Sequence, residues 1–272
     1  MKEHLLQVKN LNIIFGNQQH PQQVVYDLCL TMDPSEILGI VGESGSGKTQ
    51  TALAIAGLLN RHLMDKSGEI MFQGTDLLSC SREKLRSFQG SDIGNIFQEP
   101  MTSLNPVKKI GWQVEESLRI HTKLTAKERK EKALSMLRMV ELKEPERVYE
   151  QYPHELSGGM RQRVMIAAAM INEPKLLIAD EPTTALDVTI QKQIIKLLLK
   201  INRENHTAIL FISHDLSLVS RICSRVIVMQ NGRIVEEGTA DSIFEHPGED
   251  YTRQLVAAIP QIIPRTGGTQ NE

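Results

Sequence analysis

At 272 residues, with 31 lysines and arginines against 33 acidic residues, the chain is long enough to bury a full core and nearly neutral, which removes the main electrostatic argument for nucleic acid as its principal partner. Its longest apolar runs, such as 164–171, fall far short of the ~18 residues a membrane span requires, and residues 1–8 turn polar too soon for a signal peptide, so the chain is expected to stay where it is made. Cys29, Cys80 and Cys223 lack CxxC spacing and the eight histidines lack metal-ligand spacing, which fits a reducing compartment and gives a structural metal no support.

Residues 5–15 and 24–32 alternate apolar with polar side chains, as half-buried antiparallel strands do, and 16–23 read as the turn between them. Phe15, at the end of the first strand, is either a core aromatic or a platform for an adenine base, and position alone favours the core. Next come an apolar run, 37–41, then Gly42-Glu43-Ser44-Gly45-Ser46-Gly47-Lys48-Thr49, then a helix-prone run, 51–59. Strand, glycine-rich turn and helix in that order are the context that the phosphate-binding pattern GxxxxGK(S/T) requires. The glycines let successive amide N–H groups face inward, while the following helix aims its positive end at the same point. Lys48 is suited to reach β- and γ-phosphates, and the Thr49 hydroxyl to take one position on Mg2+. The competing reading, a glycine-rich surface turn, is outweighed by the two correct flanks.

Residues 68–74 read as a short strand, 81–88 as a short helix, and 92–97 as a strand ending on Gln98. The proline-bounded segment 98–106 is a loop, either a connector or a moving sensor. From 110 to about 142 the period becomes helical: Thr125 to Glu128 form a capping box, Ala133, Leu134, Leu137 and Val140 recur at helical spacing, and 127–132 make a solvated charged face. Residues 101–153 are therefore expected to be a helical subdomain inserted into a nucleotide-binding fold. Ser157, Gly158 and Gly159 open a helix that runs to about 171, as a cap or as an anion site, and taken alone they favour the cap.

Residues 175–181 form a buried strand ending on Asp180 and Glu181. Two adjacent acids there suit a solvated turn, but paired with an upstream phosphate loop they suit a magnesium-binding Asp180 and a water-polarising Glu181. Asp187 precedes a helix over 188–203, and a strand from 207 ends on His214, where a lone histidine is more often structural than chemical. Residues 225–238 make a hairpin about Asn231-Gly232, 251–258 a short helix, and 260–272 a loose tail.

The order of these signals resembles that of the ATP-binding-cassette (ABC) ATPases over about residues 5–238. The resemblance implies an α/β fold: a P-loop NTPase (RecA-like) core with an antiparallel β subdomain and an inserted helical subdomain, occupying 1–260 with a flexible tail at 261–272. It implies ATP and Mg2+ at a Walker A loop, 42–49, and a Q-loop glutamine, Gln98. Leu156-Ser157-Gly158-Gly159-Met160 resembles the signature motif and 176–180 Walker B. Glu181 then corresponds to the catalytic glutamate, Asp187 to the D-loop acid and His214 to the switch histidine. Catalytic roles fall to Lys48, Gln98, Glu181 and His214, and metal ligation to Thr49, Gln98 and Asp180. Phe15 matches the adenine-stacking aromatic, which reverses its positional reading, with Tyr26 as the fallback. Met160 stands where glutamine is common and Thr184 where serine is usual; neither replaces a phosphate-contacting group.

A finer resemblance, carried by 42–50, 98–106, 156–163 and 179–188, is to the peptide/nickel branch of importer ATPases. It implies a second ATPase subunit, commonly a paralogue, two membrane permeases and a substrate-binding protein, with the chain peripheral on the cytoplasmic face of the membrane. The second cassette is expected head-to-tail, its Ser157-Gly158-Gly159 equivalents closing on the γ-phosphate. Many members of the branch carry a C-terminal cysteine cluster for an iron–sulfur centre; no cysteine follows Cys223, so none is expected here. The alternative class, a soluble cassette ATPase acting on DNA or ribosomes, usually has tandem cassettes or a long coiled-coil insertion, and neither is present. Dipeptides, oligopeptides, nickel and metal chelates all stay open as cargo.

Overall fold

Alternation of buried and exposed side chains builds the first sheet of this computed structural model, which describes residues 4–16, 20–59, 64–98, 103–184 and 186–259. Strand β1 (Leu6–Phe15) buries Leu6, Val8, Leu11 and Ile13 and pairs antiparallel with β2 (Gln22–Met32), from Leu6 opposite Met32 to Phe15 opposite Gln22. Its other edge pairs antiparallel with β4 (Met64–Phe72), followed by the short β5 (Thr75–Asp76), in the order β2-β1-β4-β5. The sequence places β4 at 68–74, yet the strand starts at Met64. Gly68 faces a bulge that β1 makes at Asn10 and Leu11; its φ is +106° and a Cβ would lie 2.5 Å from the Asn10 carbonyl oxygen, so only glycine fits.

The second sheet runs β10-β9-β3-β8-β7-β6. Strands β3 (Ile37–Val41), β6 (Ile93–Ile96), β7 (Leu176–Asp180), β8 (Ala208–Ile212) and β9 (Arg225–Gln230) are parallel, and β10 (Arg233–Thr239) returns antiparallel through the predicted Asn231-Gly232 turn, both residues at positive φ. Every residue of β3, β7 and β8 is buried, as expected of strands covered on both faces. Their carboxyl ends are in register, with Ile212 opposite both Ile40 and Asp180. The segments that follow these strands therefore leave from one edge of the sheet.

Successive residues of these strands feed two apolar cores. Leu38, Ile40, Leu176, Ile178, Leu210 and Ile212 join the four-stranded sheet, α1 (Lys48–Ile55) and α2 (Arg82–Phe88). Val41, Leu177, Ala179, Ile209 and Phe211 join the helices on the other face. Those helices begin with α3 (Ile110–Val114), α4 (Glu116–His121), α5 (Ala126–Met139) and α6 (Pro145–Glu150). They continue with α7 (Gly158–Met170), α8 (Val188–Asn205), α9 (Leu216–Ile222), α10 (Ala240–Glu245) and α11 (Asp250–Ala257). The capping box of α5 is present: Glu128 N donates to Thr125 Oγ1, and Thr125 N donates to Glu128 Oε2 at 2.7 Å. Helix α10 is capped by Thr239, whose hydroxyl accepts from Ser242 N at 3.2 Å. No described helix is long and apolar enough to cross a bilayer. The expected loose tail, 260–272, lies outside the described residues.

Candidate active site

Where β3 ends, the chain must turn beneath β9. At Gly42, φ is +147° and a Cβ would sit 2.1 Å from the Met229 carbonyl oxygen, so no other residue fits. The loop then enters α1 with Gly47 at the cap and no side chain on its first amides, which leaves those N–H groups for an anion. Lys48 folds back over the loop: Nζ donates to Gly42 O at 2.8 Å, Glu43 O at 2.7 Å and Ser46 Oγ at 3.2 Å. Burial pushes its ammonium pKa down, while the charges of Glu181, Asp180 and Glu43 pull the other way.

At the end of β7, Asp180 is 8% exposed and hydrogen-bonds Thr49. Burial raises its carboxyl pKa against that bond. Its Oδ1 is buried with no hydrogen-bond partner among the described residues. A partnerless carboxylate oxygen beside a hydroxyl is an all-oxygen donor set of the kind Mg2+ takes, so these residues fit that ion.

Glu181 follows with φ at +47°, its N–H bonded to Ile212 O at 2.9 Å. Three side chains converge on its carboxylate. Thr184 Oγ1 donates to Oε2 at 2.9 Å, Gln98 Nε2 donates to the same oxygen at 3.0 Å, and His214 Nδ1 lies 3.2 Å from Oε1. Burial alone raises its pKa, but the bonds from Thr184 and His214 and the charges of His214 and Lys48 outweigh it and hold the group below its ordinary value.

Thus Lys48, Thr49, Gln98, Asp180, Glu181 and His214, drawn from β3, β6, β7 and β8, meet at one sheet edge. Gln98 spends its amide on Glu181. Ser157, Gly158, Gly159 and Asp187 stand elsewhere. Ser157 caps α7, with Met160 N at 3.4 Å, and Asp187 caps α8, accepting from Thr189 N and Ile190 N at 3.0 Å. A Cβ at Gly159 would lie 3.0 Å from Ile190, so these two helix starts adjoin one another. No hydrogen bond or ion pair given for the described residues joins them to the loop at 42–49.

Phe15 is half-buried against the first core. Tyr26 is covered by the Arg233 guanidinium at 4.7 Å, and its hydroxyl donates to Gln23 O at 3.1 Å. Two participants escaped the sequence reading. One is Thr184 as a partner of Glu181. The other is Tyr251, whose hydroxyl accepts from Glu43 N at 3.1 Å across 208 residues. A threonine three residues from a candidate base is a signal that was available; nothing local marks Tyr251.

This arrangement has counterparts. The ABC transporter family model matches residues 25–184. The dipeptide transport ATP-binding protein DppD of Haemophilus influenzae is 47% identical over 257 residues, covering 94% of this chain and 78% of that protein. The oligopeptide transport ATP-binding protein OppD of Bacillus subtilis is 47% identical over 259 residues, covering 95% and 72%. Among solved structures, the ATP-binding cassette MJ0796, dimeric in a post-hydrolysis state with ADP and Pi, matches with TM-score 0.77 at 28% identity, covering 86% of this chain and 98% of that one. With the family pattern spanning more than half of the chain and near-full-length relatives at this identity, the chain belongs to the ABC transporter family, as one of its ATP-hydrolysing cassettes.

Proposed function

We propose that this chain is the ATPase subunit of an importer that takes up dipeptides or oligopeptides through partner permeases. The observation that carries the catalytic part is the Glu181 carboxylate, kept ionised and aimed by Gln98, Thr184 and His214 beside Asp180 and Lys48. The names of DppD and OppD support the cargo. Nickel and metal chelates, which the branch resemblance also admits, are separated from peptides by the ligand that the partner binding protein carries.

The loop amides of 42–49 and Lys48 hold the β- and γ-phosphates, and Phe15 stacks on the adenine. Thr49, Asp180 and Gln98 would hold Mg2+, which would supply charge neutralisation at the phosphates. Glu181 orients a water whose oxygen bonds to the γ-phosphorus as the bond to the β–γ bridging oxygen breaks, and it accepts the proton released. His214 contacts the γ-phosphate. Ser157, Gly158 and Gly159 of a second cassette present helix-end amides to the same phosphate, and Asp187 links the two sites. The exposure of Ser157 and Gly158, away from their own loop, agrees with a role in trans.

Gln98 couples this chemistry to movement. Beside it a groove of ≈ 320 Å³ is lined by Leu58, Phe97, Leu104, Ile120 and Met165, with Phe97 42% and Ile120 70% exposed. An apolar surface next to the γ-phosphate sensor suits a short helix of a membrane permease, which makes the chain peripheral on the cytoplasmic face.

The test is co-purification and turnover. The chain should come down with a second cassette and two permeases, and peptide-loaded binding protein should accelerate ATP hydrolysis. Recovery with nucleic acid or ribosomes, and turnover indifferent to peptide, would overturn the reading.

A further inference from the structure

We propose that Tyr251 is a positioning residue for nucleotide: from the far end of the chain it holds the phosphate loop in its binding conformation. This rests on the reading of 42–49 as the nucleotide site and adds to it a residue outside that motif.

The Glu43 peptide is held on both sides. Its carbonyl accepts from Lys48 Nζ at 2.7 Å and from Ser46 N at 3.2 Å, while its N–H donates to Tyr251 Oη at 3.1 Å. Glu43, Ser44 and Gly45 are exposed, so packing does not order this part of the loop. Among the described hydrogen bonds, two reach the loop backbone from other elements: Gly232 N to Ser46 O at 3.1 Å, and Glu43 N to Tyr251.

Both clamps hang on the same hairpin. Gly232 is its turn. Tyr251 lies in the first turn of α11, and Glu236 of β10 accepts from Gly248 N at 2.7 Å and Glu249 N at 3.1 Å just ahead of that helix. Arg253 closes the same segment by donating to Pro247 O at 2.9 Å and Gly248 O at 2.8 Å. The hydroxyl is thus held on a braced support rather than on a free tail. At the opposite end of α11, Leu255, Ala258 and Ile259 line a cavity of ≈ 420 Å³ with His214 and Asp215, so one helix adjoins both the phosphate loop and the His214 turn.

A glycine-rich loop loses much conformational freedom on gripping phosphate, and a contact from outside the loop that restrains its backbone removes part of that cost from binding. Water can replace the hydroxyl at this exposed peptide, so the effect is that of one neutral hydrogen bond, about three- to tenfold in affinity. The effect belongs to ground-state and transition-state binding alike and therefore appears in KM rather than kcat.

The experiment uses the purified full-length chain with Mg2+ and a fluorescent N-methylanthraniloyl ATP. Tyr251→Phe keeps the ring and removes the hydroxyl. Its Kd should rise about three- to tenfold while kcat at saturating ATP stays within about twofold, and amide exchange at Glu43 should quicken without a change in melting temperature. A wild-type Kd with wild-type exchange at Glu43 overturns the proposal. If Tyr251→Phe proves unstable, Glu236→Ala, which frees the support and keeps the hydroxyl, must raise Kd instead, and a wild-type Kd there overturns it equally. Lys48→Ala in the same assay separates the two levels: wild-type binding by that variant sinks the nucleotide-site reading itself, whereas lost binding beside a silent Tyr251→Phe sinks only the role of Tyr251.

Discussion

Gln98 and Glu181, 83 residues apart, meet at 3.0 Å, the glutamine amide donating to the carboxylate oxygen Oε2. The residue heading the loop into the helical region is therefore engaged with the candidate base. On the function proposed above, a γ-phosphate would compete with Glu181 for Gln98, and this exchange of partners would carry phosphate occupancy to α3 to α6.

Glu181→Gln preserves shape and removes the negative charge proposed to orient water. Turnover in the assembled complex should fall ~100-fold or more while ATP still binds, with the paired cassettes held closed. Steady-state phosphate release beside equilibrium binding decides it; near-normal turnover rejects the assignment.

Lys48→Ala takes away a charged donor folded over the loop and its contacts to Gly42, Glu43 and Ser46. Loss of a charge-assisted bond to phosphate should weaken ATP binding about 10- to 100-fold. Titration calorimetry reads this directly.

Asp180 is held above the ordinary carboxylate pKa by burial. The folded protein then binds that proton more readily than the unfolded chain, so the group's stability contribution is full below the unfolded pKa and is lost as pH rises through the folded one. At pH 7 the buried charge is a cost. Asp180→Asn should raise the melting temperature of nucleotide-free protein by about 2–4 °C, for roughly 1 kcal/mol, while Mg2+-dependent hydrolysis disappears. A melting temperature below wild type contradicts this.

Glu115 anchors the helical region, its side chain only 3% exposed. It accepts from Arg119 at 2.8 Å and from the Tyr149 hydroxyl, and Arg129 Nε lies 3.6 Å away. Glu115→Ala strands these groups and should cost about 2 kcal/mol, or roughly 4–8 °C in Tm. Scanning calorimetry is the check, and an unchanged Tm rejects the role.

Trp112 on α3 is the sole tryptophan, with Lys108 and Arg119 over its ring at 4.8 and 5.6 Å. If Gln98 transmits phosphate occupancy to α3, Mg2+-ATP should shift Trp112 emission in wild type, and Gln98→Ala should abolish the shift while ATP affinity stays within about threefold. An identical shift in the variant points to another route.

The contiguous features were legible because each is fixed by short-range backbone geometry. The strand, loop and helix about 42–49, the Thr125 capping box, the Asn231-Gly232 hairpin and the acids closing β7 all carry their instructions within a few residues. The departures are local too: β4 runs back to Met64 because Gly68 lets it pair past the β1 bulge at Asn10 and Leu11, and Arg129, expected on a solvated face, turns inward to Leu124 O at 2.6 Å and towards Glu115. The sequence alone thus determined that a phosphate loop, a carboxylate pair and a histidine end separate strands. Only the tertiary structure decided that Gln98, Thr184 and His214 share the Glu181 carboxylate, that Asp180 keeps a buried oxygen without a partner among the described residues, and that Tyr251 contacts Glu43. Those meetings depend on the strand order β10-β9-β3-β8-β7-β6, which brings distant segments to one edge, and no periodicity within a strand or helix encodes which strand lies beside which.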